Sequence, residues 1–166
     1  LERQGSSLIS MVDHFISQSN YKESGFYLRN HESLSKQLIK NKSQNIPTVL
    51  FGVTYALLDF VEKYGMDFPE LIIMETGGMK GQREEITKPA LHQILKNGFG
   101  VDKVYSEYGM TELLSQAYTN GEVKFYAPPS MQIKTLQIND PLTREKYGKP
   151  GIISVIDMAN IDSCAF

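Results

Sequence analysis

A nine-residue segment at residues 105–113 brings together tyrosine rings, a glycine, a hydroxyl group and carboxylates: Tyr-Ser-Glu-Tyr-Gly-Met-Thr-Glu-Leu. Its first residues close a β-prone run, Gly109 allows a sharp turn, and Thr111 can cap a helix whose apolar face begins at Leu113. The pattern therefore predicts a strand, a tight turn and a helix. Backbone N–H groups ahead of a helix favour a bound phosphate, which makes this segment the best candidate site. A helix cap without any ligand explains the same pattern and stays open as the alternative.

Alternating strand and helix patterns between residues 25 and 118 must position this segment. Short apolar runs predict strands at residues 25–28, 46–52 and 71–75, before the one that ends near Tyr105. Apolar residues at helical spacing predict helices at residues 6–17, after the cap Asn30, at residues 54–64, and between Thr87 and Gly98. Such alternation is typical of βαβ units, so we expect an α/β fold with a mostly parallel sheet flanked by helices.

After residue 118 the pattern changes to short strands separated by turns. Strand-like runs at residues 124–126, 131–138 and 151–157 alternate with turns rich in proline, glycine and asparagine. These runs predict antiparallel, barrel-like strands attached to the sheet. We therefore divide the chain into an α/β subdomain at residues 1–118 and a β-rich subdomain at residues 119–166.

Ligands of a doubly wound sheet lie beyond the carboxyl ends of its strands. Three loops follow such ends, at residues 52–54, 75–81 and 105–112. In the second loop Gly77 and Gly78 have no Cβ, so their backbone can come close to a phosphate or a flat ring. Lys80 and Arg83 can offer charge to an anion there. A loop that needs positive φ, with two ordinary surface cations, is the alternative explanation.

Composition excludes several classes of function. The 166 residues are 41% apolar and 22% charged, with a net charge of −2 and a pI of about 5.9. These values fit a globular protein without the basic surface that binds nucleic acid. With no transmembrane run and no signal peptide, we expect a cytoplasmic protein. The three histidines lack metal-ligand spacing, and the single cysteine, Cys164, has no basic neighbour, so none of them is predicted to be catalytic.

Three sequence blocks resemble the LuxE-type acyl-protein synthetases, fatty-acid-activating members of the adenylate-forming superfamily that are related to phenylacetate–CoA ligases. The blocks are residues 75–81 (Glu-Thr-Gly-Gly-Met-Lys-Gly), residues 105–113, and residues 157–164 (Asp-Met-Ala-Asn-Ile-Asp-Ser-Cys). They follow the family's order over nearly the whole chain, and the Tyr-Gly-x-Thr-Glu core is typical of the superfamily. The resemblance implies that a carboxylate attacks the α-phosphate of ATP to give acyl-adenylate and pyrophosphate. The acyl group then passes to a thiol.

The resemblance also implies which residues hold adenine. Gly77, Gly78 and Met79 would line the adenine pocket with their backbone. Tyr108 would stack on the base, a contact worth about 1–3 kcal/mol. Ser106 stands where the superfamily often has an asparagine near the base. The resemblance places it in the nucleotide site, although a serine departs from the superfamily pattern.

The phosphate and metal roles fall on the end of the same motif. Gly109 belongs to the implied nucleotide-binding set, and Thr111 would bond the α-phosphate through its hydroxyl. Glu112 would hold Mg²⁺, which neutralises charge that develops on the phosphate. Thr111 and Glu112 are thus the implied catalytic residues, and ATP and Mg²⁺ the implied cofactors.

The resemblance further implies that the chain is a central fragment. The superfamily's phosphate loop would lie before Leu1, the ribose-binding aspartate after Phe166, and the mobile carboxy-terminal domain with its lysine farther on. We expect such a fragment to bind ATP weakly and not to catalyse adenylation alone. In LuxE-type enzymes the acceptor cysteine lies near the end of the full chain, so Cys164 should not be it. An acyl- or aryl-CoA ligase, and a degenerate scaffold module of the same fold, stay open as alternatives.

Overall fold

The computed structural model describes residues 7–162 of the chain. Its helices are α1 (Ser7–Gln18), α2 (His31–Ser43), α3 (Thr54–Tyr64) and α4 (Lys88–Phe99). Its strands are β1 (Val49–Val53), β2 (Ile72–Thr76), β3 (Val104–Tyr108), β4 (Ala117–Thr119), β5 (Phe125–Tyr126), β6 (Met131–Leu136) and β7 (Ile152–Asp157). Within this described range, no helix has the length and apolar character needed to span a membrane. Cys164, discussed above from the sequence, lies outside the described residues.

Strands β1 to β5 form one sheet in sequence order. β1, β2 and β3 are parallel, and near their carboxyl ends Val53 pairs with Thr76 and Thr76 with Glu107. β4 and β5 continue the sheet in antiparallel orientation. Helices α3 and α4 pack against the parallel strands, so the predicted α/β fold with a mostly parallel sheet is confirmed.

Strands β6 and β7 form a separate antiparallel sheet. Their pairing runs from Met131 with Asp157 at one end to Leu136 with Ile152 at the other. Antiparallel strands were predicted after residue 118, and the structure confirms them. Asp157, at the carboxyl end of β7, is fully buried and points back toward the first sheet.

Two apolar clusters hold these layers together. The main cluster fills the space between the parallel strands and the helices, with Ile73, Leu95, Phe99 and Val104 completely buried. Full burial of one such side chain stabilises the fold by about 1.5–3 kcal/mol. A smaller cluster joins the two sheets through Leu113, Ala117, Met131 and Val155, with Tyr108 and Phe125 packed against it. The candidate segment at residues 105–113 therefore lies where the two sheets meet.

Two helix caps follow the sequence prediction, and one helix end departs from it. The side chain of Asn30 accepts a hydrogen bond from Ser33 N at the start of α2, and that of Thr87 accepts one from Ala90 N at the start of α4. The prediction that α4 ends before Gly98 is wrong, because the helix continues to Phe99 and ends at Gly100. Gly100 has φ of +68°, the left-handed conformation that commonly closes a helix.

The strand predicted at residues 25–28 is absent. Asn30 N donates to Tyr27 O at 2.8 Å, and Leu28 has φ of +48°, so the chain turns here instead of extending. The tyrosine hydroxyl of Tyr27 also donates to Glu23 O at 3.0 Å. The aromatic residues suggested a strand, but local hydrogen bonds that lead into α2 determine the conformation.

The helix predicted after Thr111 is also absent. Leu113 N donates to Met110 O in a single turn, and the next two amides, of Leu114 and Ser115, donate to Asp157 Oδ2. The chain then returns as β4, antiparallel to β3. A helix cannot form here, because Asp157 accepts the amides of Leu114 and Ser115 and because β4 pairs with β3. The apolar residues of the pattern, Leu113 and Ala117, instead pack in the cluster between the two sheets.

Gly98 provides a test of how closely α3 and α4 pack. A Cβ at this position would overlap Val61 Cγ2 on α3. We expect Gly98→Ala to lower the free energy of unfolding by about 1–3 kcal/mol through overpacking, despite the better helix propensity of alanine. Urea denaturation measures the change. Asn97→Ala, at an exposed position of the same helix, serves as the control and should stay within about 0.5 kcal/mol of the wild type. A neutral or stabilising Gly98→Ala would contradict this packing.

Candidate functional site

The loops that carry the predicted site residues leave the sheet side by side. Thr76 and Glu107 are the last paired residues of the parallel strands β2 and β3. Gly77 and Tyr108 come directly after them, so the loop after β2 and the segment at the end of β3 start at the same edge. Sequence analysis expected these loops to share an edge, and the strand register brings them there.

The loop after β2 is shaped by three left-handed residues and one buried side chain. Gly77 has φ of +70°, Lys80 has φ of +49° and Gly81 has φ of +71°. Gly78 has open space where a Cβ would be, so backbone there is accessible. Met79 is only 2% exposed and packs in the main core, which anchors the loop from below. The loop can therefore offer backbone, and not the Met79 side chain, to a ligand.

The ring of Tyr108 is half-buried at the junction of the sheets. It makes an edge contact with Phe125, with 6.0 Å between ring centroids, and its hydroxyl donates to Met110 Sδ at 3.3 Å. Gly109 follows without positive φ, and a Cβ there would meet Gln116 Cγ at 3.5 Å, an ordinary contact. The predicted sharp turn therefore does not depend on the special conformations of glycine.

Thr111 and Glu112 lie on the exposed turn that follows. Neither side chain forms a hydrogen bond or ion pair with another residue of the described range 7–162. Glu112 borders an open cavity of about 290 Å³, whose other lining residues are Met110, Leu113, Ile153, Ser154 and Val155. The Glu112 carboxylate is thus accessible at a cavity that the turn forms with β7, and the Thr111 hydroxyl is exposed on the same turn.

A metal ion at this place would have one protein carboxylate. The described residues contain no group of three or more His, Cys, Asp or Glu side chains arranged to hold a metal. Mg²⁺ commonly binds through one or two carboxylates and takes its remaining ligands from water and substrate phosphates. An exposed, unpaired Glu112 fits that mode of binding and would not suit a metal that needs a closed protein cage.

Ser106 is fully buried on β3. It pairs with Glu75, one position before the last residue pair of β2 and β3. Its hydroxyl is hydrogen-bonded to His92 Nε2 at 2.9 Å, and its backbone N–H donates to Thr119 Oγ1 at 2.8 Å. The Ser106 side chain is therefore part of an internal polar network. His92, for which the sequence predicted no catalysis, is buried in α4 and orients this serine.

The centre of that network is Glu75, which sequence analysis did not single out. It is fully buried, accepts from Thr54 Oγ1 at 2.8 Å and from Lys88 Nζ at 2.6 Å, and lies 3.8 Å from His92 Nε2. Burial alone raises the pKa of Glu75, but His92, Lys88 and Ser106 together lower it from the ordinary 4.5 to about 2. At neutral pH the group is therefore a buried anion, directly beneath the loop that begins at Gly77. The available signal was its position on the same strand face as Ile73.

A second buried carboxylate joins the ends of β2 and β3. Glu107 accepts from Thr76 Oγ1 at 3.0 Å and from the Tyr118 hydroxyl at 3.3 Å. Burial raises the pKa of Glu107, and these two hydrogen bonds offset part of the rise. Burial and the neighbouring Glu107 carboxylate raise the pKa of Tyr118 to about 12. These contacts hold the ends of β2 and β3 in register, and so fix the loops at Gly77 and Tyr108 relative to each other.

Comparison with known proteins gives matches among solved structures. No family model matches this chain, and no curated protein sequence gives a significant match. An ATP-bound chimera of RpMatB and BxBclM superposes with a TM-score of 0.58 at 15% identity, over 78% of this chain and 25% of that one. The N-terminal subdomain of Klebsiella oxytoca NpsA, in complex with 3-hydroxyanthranilyl-AMSN, gives 0.51 at 18% identity, over 81% and 32%.

A third structure matches over a similar share of this chain. NpsA-ThdA from Klebsiella oxytoca, an artificially fused adenylation–PCP di-domain, gives a TM-score of 0.50 at 16% identity, over 81% of this chain and 22% of that one. The structural neighbours are adenylate-forming enzymes, and this chain spans a third of their length or less. At these identities the likeness shows the fold. About four fifths of this chain therefore shares its fold with a part of each of these structures.

Proposed function

We propose that this chain is the nucleotide-binding part of an enzyme that uses ATP to activate a carboxylic acid as an acyl-adenylate. The observation that carries the proposal is the placement of the Gly77 loop and the Tyr108–Glu112 segment at neighbouring strand ends. The adenylate-forming fold of its structural neighbours supports the same conclusion. Together the two loops offer what a nucleotide requires: accessible backbone, an aromatic ring, and a hydroxyl and a carboxylate that have no partner within residues 7–162.

In this proposal each loop has a separate task. The backbone of Gly77, Gly78 and Met79 lines one side of adenine, and the half-buried ring of Tyr108 stacks on the base. The contact of Ser106 with His92 supports the strand beside the base, so its role there is indirect. The ring of Tyr108 packs against the cluster between the sheets, so its position is fixed before any ligand binds.

The phosphates and the metal belong to the turn that follows. Thr111 donates its hydroxyl to the α-phosphate, and Gly109 supplies backbone beside it. Glu112 holds Mg²⁺, which, when bound, neutralises negative charge as the substrate carboxylate attacks the α-phosphate. The exposure of both side chains, and the absence of competing partners within residues 7–162, support these assignments.

The proposal also covers the carboxylic acid substrate and the thiol that accepts the acyl group. By the resemblance of its three sequence blocks, the enzyme activates a fatty acid and passes it to a protein thiol in the cytoplasm. Coenzyme A is the alternative acceptor, and product analysis with both acceptors separates the two. We also retain the division at residue 118 as a proposal, although β4 and β5 extend the first sheet and only β6 and β7 form the second. The chain tested alone should not catalyse adenylation.

Nucleotide binding tests the proposal directly. We expect ATP with Mg²⁺ to raise the melting temperature of the full-length protein, because a ligand that binds only the native state stabilises it. Tyr108→Ala should weaken nucleotide binding by about 1–3 kcal/mol through loss of stacking. Tyr108→Phe is the matched control, since it keeps the ring and loses only the hydroxyl that bonds Met110. A wild-type protein without any thermal shift would refute the proposal, and equal binding by Tyr108→Ala would remove the tyrosine from the site.

A further inference from the structure

The turn that carries Glu112 has little regular structure of its own. Between the end of β3 and the start of β4 its internal backbone hydrogen bond joins Leu113 N to Met110 O at 3.1 Å. Such a turn samples many conformations unless other parts of the molecule restrain it, and each free residue adds about 1–2 kcal/mol of conformational entropy. The position of the Glu112 backbone must therefore be set by contacts from outside the turn.

Those contacts come from the end of β7. Asp157 Oδ2 accepts the backbone N–H groups of Leu114 and Ser115, both at 2.7 Å, and Oδ1 accepts the Ser115 hydroxyl at 2.7 Å and Ala159 N at 3.1 Å. All these donors meet one fully buried carboxylate. The Ser115 hydroxyl and the backbone donors lower the pKa of Asp157, so it is ionised at neutral pH and accepts only.

A second contact reaches Glu112 itself. The side chain of Asn160, three residues after Asp157, donates from Nδ2 to Glu112 O at 3.0 Å. Leu113 is buried in the cluster between the sheets, directly opposite β6 and β7. Residues 157–160 thus hold the turn at Glu112, Leu114 and Ser115, on both sides of Leu113.

From this geometry we infer that Asp157 is a positioning residue: it fixes the turn that aims Glu112 at the metal–nucleotide complex, and so makes the β6–β7 sheet part of the active site. The inference rests on the proposed function, because it assigns Glu112 to Mg²⁺. It gives a role to Asp157 that is distinct from binding any ligand directly. Side chains that orient a metal ligand affect metal affinity by about 10–100-fold when they are replaced.

The test compares Asp157→Asn with Val155→Ala in the full-length protein. Asparagine keeps the size of the side chain but has only one acceptor oxygen. In the variant its NH₂ group, itself a donor, must face N–H or O–H donors that bond a carboxylate oxygen in the wild type. Val155→Ala weakens the same cluster and leaves every hydrogen bond of Asp157 in place. Ser115→Ala removes the hydroxyl that bonds Asp157 Oδ1 and Ser130 Oγ and leaves the backbone donors to Asp157 in place. It serves as the milder variant if Asp157→Asn does not fold.

Two measurements are needed, one of which involves no nucleotide. Hydrogen exchange at the amides of Leu114 and Ser115 should become faster in Asp157→Asn, and faster to a lesser degree in Ser115→Ala, but not in Val155→Ala. The Mg²⁺ concentration for half-maximal ATP binding should rise about 10-fold or more in Asp157→Asn. It should stay near the wild-type value in Val155→Ala.

The outcomes separate the inference from the proposed function. Faster exchange together with a higher half-maximal Mg²⁺ concentration in Asp157→Asn, with neither change in Val155→Ala, supports the inference. Unchanged exchange in Asp157→Asn, or faster exchange with a wild-type half-maximal Mg²⁺ concentration, overturns it while the proposed function stands. A wild-type protein that binds no Mg²⁺–ATP overturns both, and it is recognised because the failure is already present without any substitution.

Discussion

Glu112→Gln should abolish most of the adenylation activity of the full-length protein and leave its fold intact. Glutamine keeps the shape of the side chain but removes the negative charge that holds Mg²⁺. Loss of one group that stabilises developing charge costs about 10²–10³-fold in rate, and we expect a decrease in this range in pyrophosphate exchange. The side chain is exposed and has no partner within residues 7–162, so the free energy of unfolding should change by no more than about 0.5 kcal/mol.

Glu122→Gln is the matched control for this experiment. Glu122 is also exposed, lies in the connection between β4 and β5, and belongs to no proposed site. This variant should retain wild-type exchange, which separates a specific loss from a general effect of surface charge. Higher Mg²⁺ concentrations should restore part of the activity of Glu112→Gln, because the remaining metal ligands are water and phosphate. If Glu112→Gln retains full exchange, the metal is held elsewhere and Glu112 is removed from the site. A scaffold function becomes the better explanation only if the wild type itself shows no exchange.

The α/β architecture could be predicted from sequence because local patterns determine most of it. Helix α3 has the predicted limits, Thr54 to Tyr64, since its apolar spacing and its following glycine agree with each other. The same local reasoning failed for residues 111–117, where Leu113 and Ala117, four residues apart, belong to a cluster between two sheets. The amides of Leu114 and Ser115 bond to Asp157, more than 40 residues away in sequence, and local propensity carries no information about such a contact.

The candidate site was predictable to a different extent. The loops at Gly77 and Tyr108 could be located because parallel strands present their carboxyl ends at one edge, which is a rule of the fold. The polar groups beneath them could not, because Glu75, His92 and Ser106 become neighbours only through the pairing of β2 with β3 and the packing of α4. Glu75 did carry one signal, because it is a carboxylate on the buried face of a strand. A glutamate is almost never fully buried unless it has partners, so this position indicates an internal polar network.

The ion pair between the fully buried Glu75 and the partly exposed Lys88 leads to the largest expected effect on stability. Lys88→Met removes the cation 2.6 Å from Glu75 Oε1 and leaves a fully buried carboxylate without its main counter-charge. Breaking a buried pair in this way costs about 3–5 kcal/mol, and we expect a decrease of that size in the free energy of unfolding at pH 7. Adding Glu75→Gln to Lys88→Met should recover much of the loss, because no uncompensated charge then remains. Urea denaturation of the wild type, both single variants and the double variant measures the coupling.

The pH dependence of the wild type provides an independent check of the same group. The folded-state pKa of Glu75, about 2, lies below its ordinary value of 4.5. The stabilisation is therefore complete above about pH 4.5 and is lost as the pH falls toward 2. Since each pH unit between the two pKa values is worth about 1.4 kcal/mol, the loss is on the order of 3 kcal/mol.

Other carboxylates also titrate in this window, so the informative quantity is the difference between the wild type and Glu75→Gln. That difference in the free energy of unfolding should be constant between pH 5 and 7 and should shrink steadily below about pH 4.5. Lys88→Met should shift the acid-dependent loss to higher pH, because the lysine no longer lowers the pKa of Glu75. A difference between the wild type and Glu75→Gln that stays constant down to pH 3 would show that Glu75 is not held as a buried anion. The support of the Gly77 loop would then have to come from the apolar core and Met79 alone.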